Sequence, residues 1–219
     1  MNKMKNSIIK NCTWIASAAL FGLLGSPRLH AGTLYNVSIS TAPVVGTTGY
    51  LAFDLVGGIP FQDNTVKVTG FSTNATLGSA SISGDVAGSL TPGPLTLIAD
   101  QFFNEWLQPV TFGTSITFVL DVTTTYTTGS TPDSFGFFLL APTQNPFPTS
   151  DPSATNSVFA IDLMGTAPQV FTSTNPTSQF SATVTPFTAT PEFNPGPAVG
   201  LGLALVLAFR LLSKTSRDM

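Results

Sequence analysis

Between residues 33 and 165, apolar side chains return at every second position, and this periodicity limits what the chain can fold into. Ser115–Val122 (SITFVLDV) sets Ile116, Phe118, Leu120 and Val122 on one side and Thr117 and Asp121 on the other. Tyr35, Val37 and Ile39 repeat the pattern against Asn36 and Ser38. So do Leu51, Phe53 and Leu55, then Phe135, Phe137 and Leu139, then Phe159, Ile161 and Leu163. Successive side chains of a strand point to opposite faces, so this alternation predicts strands buried on one side. Candidate strands fall at 33–40, 48–56, 64–72, 77–83, 94–99, 114–127, 134–141, 157–164 and 179–185. Gly57-Gly58-Ile59-Pro60, Thr91-Pro92-Gly93-Pro94, the run Thr128–Asp133 and Asn145-Pro146-Phe147-Pro148 separate them. Each interrupts a ladder, because proline donates no hydrogen bond and glycine tolerates turn conformations. Many short strands with regular punctuation predict an all-β fold, a single β-sandwich, jelly-roll-like or Ig-like. No amphipathic helix is evident; at most one helical turn is expected, at Asp100–Leu107.

Composition excludes much of the chemistry such a domain could carry. The chain's only Cys and only His, Cys12 and His30, precede the strands. From Gly32 to Ala189 there is therefore no disulfide framework, no Cys/His zinc site and no Ser-His-Asp or Cys-His machinery. The same stretch holds one cation, Lys67, against Asp54, Asp63, Asp85, Asp100, Glu105, Asp121, Asp133, Asp151 and Asp162. A body net acidic by about eight is a poor partner for nucleic acid or anionic lipid, both of which require basic patches.

The two ends read as addresses. Met1–Asn11 carries Lys3, Lys5 and Lys10; Thr13–Leu24 is a short apolar run; Gly25-Ser26-Pro27 breaks it, and Leu29-His30-Ala31 offers a cleavage site. Together they predict a secretory signal peptide over 1–31, a substrate of the secretion translocon. The sandwich domain is expected at 32–187. Residues 188–196 form a linker holding Pro191-Glu192-Phe193, and 197–219 an apolar helix with a basic end. Taken as a helix from Gly196 to Leu212, at about 1.5 Å per residue, the run spans roughly 25 Å, a little short of the hydrocarbon core. Val199, Leu201, Leu203, Leu205, Val206, Leu207 and Phe209 would anchor it, and Arg210 would reach the interface.

This tail resembles the PEP-CTERM protein-sorting signal of Gram-negative bacteria and cyanobacteria. Pro191 and Glu192 match its motif; Phe193 stands where a second proline is usual, as in cyanobacterial variants. The resemblance implies that an exosortase-like membrane protease or transpeptidase acts near the motif. It also implies an inner-membrane-anchored precursor delivered to the cell surface or outside. The body resembles a family of uncharacterised PEP-CTERM secreted proteins, in LYNVSISTAPVVGTTGYLAFDL, GSASISGDVAGSL and FNEWLQPVTFGTSITFVLDV. That likeness implies a shared fold and export route, and no catalytic residues.

Three features could carry chemistry. Asp100, Phe102, Asn104, Glu105 and Trp106 combine carboxylates, an amide and aromatic rings, the groups that bond sugar hydroxyls and stack on sugar faces. The plainer alternative is that Phe102, Phe103 and Trp106 cap one end of the core. Oxygen ligands for a structural Ca²⁺ exist at Asp63 with Asn64, Asp100 with Asn104 and Glu105, Asp133, and Asp151 with Asn156. They lack the spacing of a known calcium loop, and no metal site is assigned. Paired carboxylates for glycoside hydrolysis are not marked by any spacing. The sequence therefore predicts an exported, non-catalytic cell-surface or extracellular-matrix protein without a cofactor, associated with exopolysaccharide. The alternative is a carbohydrate-binding module using Phe102–Trp106.

Overall fold

A computed structural model describes residues 32–125, 129–151, 155–164, 168–173 and 180–188. The expected signal peptide, the Pro-Glu motif and the apolar tail lie outside these residues. The chain divides into two compact units, Met1–Phe187 and Thr188–Met219. All the strands described below belong to the first.

Thirteen strands occur among the described residues. They are β1 (Thr33–Ser40), β2 (Thr48–Val56), β3 (Thr65–Thr73), β4 (Thr76–Leu77), β5 (Ser81–Ser83), β6 (Val86–Gly88), β7 (Leu95–Ile98), β8 (Phe103–Thr111), β9 (Ser115–Val122), β10 (Asp133–Leu140), β11 (Phe159–Leu163), β12 (Gln169–Thr172) and β13 (Ser181–Phe187). One sheet runs β13-β1-β9-β3-β7-β6. The other runs β12-β11-β10-β2-β8-β4, with β5 also paired to β8. Every pairing is antiparallel. The fold is all-β, with two sheets enclosing one core in the manner of a β-sandwich.

The alternating residues meet in that core. Val37, Ile39, Ile116, Phe118, Leu120 and Val122 of the first sheet pack in one cluster with Leu51, Phe53, Leu55, Phe135, Phe137, Phe159 and Ile161 of the second. Phe118 is the aromatic bridge between sheets. Its ring lies 5.6 Å from those of both Phe53 and Phe137, and 6.4 Å from that of Phe159. Tilted and offset pairs at such distances add about 0.5–1.5 kcal/mol each to the area they bury.

Three expectations are corrected. Asp100–Leu107 makes no helical turn: residues 99–102 bend and β8 begins at Phe103. β8 is an interior strand, hydrogen-bonded to β2 on one side and to β4 and β5 on the other. Its period-two pattern is partly polar, since Asn104, Trp106, Gln108 and Val110 all face the core while Leu107 faces out. The expected strand to residue 127 stops at Val122. The strand expected at 77–83 is split into β4 and β5, and Gly78 between them still donates its N–H to Pro109 O at 2.9 Å.

A candidate ligand groove on the outer face of the second sheet

The outward positions of the two sheets differ in chemistry. On the first sheet Asn36, Ser38, Thr117, Thr183 and Thr185 line a concavity of about 330 Å³ without a charged group, and the sheet's charged residues, Lys67 and Asp121, are not in that lining. On the second sheet, cross-strand register sets one row in order: Phe171, Ala160, Gly136, Asp54, Glu105. Ala160 and Gly136 are small, so the sheet surface drops between Phe171 and Asp54. A groove of about 490 Å³ results, with Val56, Ser134 and Asp162 in its lining. Phe138, Asp151, Thr155 and Ser157 complete that lining. This volume lies within the range of small-molecule sites, roughly 300–1,000 Å³.

Gly136 permits a close approach. A Cβ there would stand 2.6 Å from Phe138 Cε2 and 3.0 Å from its Cζ, so the Phe138 ring lies across the glycine. Phe138 also packs against a small outer cluster of Ala52, Leu107 and Leu140. The ring is thereby held on one side and faces the groove on the other.

The groove's polar groups are carboxylates and hydroxyls. Asp162 Oδ1 accepts from Ser134 Oγ at 2.8 Å. Asp151 Oδ2 accepts from Ser157 N–H at 3.1 Å, from Ser157 Oγ at 2.9 Å and from Thr155 Oγ1. Asp54 differs: its Oδ1 is buried and has no hydrogen-bond partner. Burial, and then the charge of Glu105 across the strand, push its carboxyl up to about 7. Glu105 is itself raised by burial. Lys67, the only cation among the described residues, lies in the other sheet opposite Asp121.

The residues expected to contact glycan do not share a surface. Asn104 and Trp106 face the core, Glu105 points to the opposite face, Asp100 and Phe102 lie exposed in the preceding bend, and Phe103 is partly exposed. Asn104 is occupied structurally: its Oδ1 accepts from Asp85 N–H at 2.7 Å, and its Nδ2 donates to Leu55 O and Gln101 O. Trp106 Nε1 donates to Gln108 Oε1 at 3.3 Å. Of the five, only Glu105 neighbours the groove, through Asp54.

Several of the oxygens considered for calcium are engaged in hydrogen bonds within the fold. Asp133 accepts from Gly58 N–H at 2.6 Å and from Asn64 Nδ2 at 2.8 Å, and Asn64 Oδ1 accepts from Thr125 N–H at 2.6 Å. Asn156 Oδ1 accepts from Thr149 N–H at 3.1 Å. Among the described residues no three acids converge as metal ligands would.

Sequence reasoning missed Phe138, Phe171, Gly136, Ala160 and Asp54. The available signal was small residues at outward positions of two strands, Gly136 and Ala160, beside an outward acid. It becomes a groove only once strand order and register bring β2, β10, β11 and β12 side by side. The chain matches no protein-family model, no curated protein and no solved structure.

Proposed function

We propose that the chain is an exported, non-catalytic cell-surface or extracellular-matrix protein whose sandwich holds a carbohydrate chain in the groove of the second sheet. The observation that carries this reading is the Phe138 ring lying across Gly136, beside carboxylates and hydroxyls. An aromatic face with hydrogen-bonding groups around it suits a sugar ring, whose apolar side stacks while its hydroxyls are bonded. We read the sandwich as jelly-roll-like or Ig-like, a class supported by the chain's repeated passage from one sheet to the other. Export is supported by the Lys-rich start, the short apolar run and the Ala31 exit. Sorting by an exosortase-like enzyme is supported by Pro191, Glu192 and the apolar run ending in Arg210. The body would sit outside the inner membrane, held first by its tail helix.

The test is a glycan array with the full chain and with Phe138→Ala and Phe171→Ala. Binding by wild type that both variants lose supports the reading; no glycan bound, or binding unchanged in both variants, overturns it. Intact-mass measurement of the exported protein tests sorting: loss of residues beyond about Glu192 is expected, and Met219 retained at the surface refutes it.

The Asp54–Glu105 pair favours a second reading, glycoside hydrolysis, which needs one raised carboxyl as acid and a second carboxylate. Glu105 lies outside the groove's lining, so of this pair Asp54 alone would stand beside a bound sugar. Release of new reducing ends from a bound oligosaccharide would establish this reading over the first.

A further inference from the structure

The geometry points to an amine-bearing sugar as the ligand of this groove: a pyranose whose protonated amino group sits against Asp54 while its ring stacks on Phe138. The inference rests on the glycan reading above and narrows it. Three carboxylates, Asp54, Asp151 and Asp162, line the groove with two aromatic rings, and no basic side chain does. Lys67 cannot supply the missing charge from the opposite sheet, and the sequence from Gly32 to Ala189 contains no other cation. Asp54 Oδ1 is buried without a donor. That atom is closed to solvent, so an ammonium would meet the carboxyl where Asp54 lines the groove and offset its poor solvation through charge. An ammonium gives three donors, and aromatic faces attract cations within about 6 Å of the ring. An anionic polymer would meet a body net acidic by about eight and is disfavoured. A bare metal ion fits less well, because the acids are spread around an apolar floor and no three converge among the described residues.

The experiment is calorimetric titration of the full chain, in mild detergent, with four probes. They are a β-1,4-glucosamine tetramer, its fully N-acetylated form, a β-1,4-glucose tetramer, and Nα-acetyl-lysine amide. Buffer is near neutral, so that a large share of both the sugar amine and the Asp54 carboxyl, which is pushed up to about 7, is charged. Binding of the glucosamine tetramer is expected to exceed that of both neutral tetramers about tenfold or more. Asp54→Asn should weaken it roughly thirtyfold or more, as for loss of one partner of a desolvated charge pair. The variant's urea midpoint, expected at or above that of wild type, separates lost contact from lost fold. Equal binding of the N-acetylated or glucose tetramer overturns the amine inference and leaves the glycan reading standing. So does undiminished binding by Asp54→Asn. Lysine amide binding as tightly as the glucosamine tetramer overturns the sugar part of the inference. Failure of all three tetramers overturns the inference and the glycan reading together.

Discussion

Asp54 is the residue where stability and ligand chemistry oppose each other. Its carboxyl is lifted from 3.8 to about 7 by burial, and then by Glu105. A group whose folded pKa lies above its unfolded value binds more protons folded than unfolded between those two values. Its contribution to stability is therefore full below about 3.8, declines as pH rises, and is gone above about 7. Asp54→Asn keeps the shape and removes the charge. The variant should be more stable than wild type above neutrality, by on the order of 1–3 kcal/mol, and indistinguishable from it in acid. Urea midpoints on either side of the transition test this, and equal midpoints in alkali would refute it. Asp133 predicts the reverse for the same chemical change. Both its oxygens accept, from Gly58 N–H and Asn64 Nδ2, and Asn64 cannot flip because its Oδ1 already takes Thr125 N–H. Asp133→Asn sets two amide donors face to face in the interior. It should lower stability by about 1–3 kcal/mol, read as a drop in the urea midpoint near neutral pH.

At the scale of the element, β10 and β8 show how one periodicity serves two ends. In β10 the inward residues Phe135, Phe137 and Leu139 build the core, while outward Ser134, Gly136 and Phe138 shape the groove. Gly136→Ala places a methyl group where the Phe138 ring lies. The ring is a side chain that can swing, so folding stability should change little, by about 1 kcal/mol or less. Glycan affinity should fall at least about tenfold, because the stacking face moves. Loss of binding with an unchanged thermal midpoint is the expected pair of results; unchanged binding would remove Phe138 from the site. The inward half of this pattern is legible in the sequence, since Phe135, Phe137, Phe159 and Ile161 alternate with small or polar neighbours. β8 is not, because two of its inward residues, Asn104 and Gln108, are polar and break the apolar alternation. Their polarity is tolerated because partners on other segments satisfy them: Asp85 N–H, Leu55 O and Gly78 O. A buried amide with distant partners carries no local signature. The groove is illegible for a related reason, since its row draws one residue from each of four strands.

At the scale of the molecule, the two sheets share one core, and the aromatic rings are its seam. Phe118 projects from the first sheet to meet Phe53, Phe137 and Phe159 of the second, and Phe71 stacks beside it at 6.2 Å. Each sheet alone would expose that apolar face to water, so neither is expected to persist without the other. Phe118→Ala opens a cavity at the centre of the seam, where rigid strands on both sides limit collapse. It should cost about 3–5 kcal/mol, a large share of the stability of a domain this size. Trp106, the only tryptophan between residues 32 and 188, reports on the second sheet from the core side. Far-UV circular dichroism reports on both sheets together. If the core is one cooperative unit, the tryptophan and dichroism transitions coincide in urea for wild type and for Phe118→Ala, with both midpoints lower in the variant. If the dichroism change begins before the Trp106 signal moves, the first sheet melts independently and the shared core does not bind the sheets into one unit.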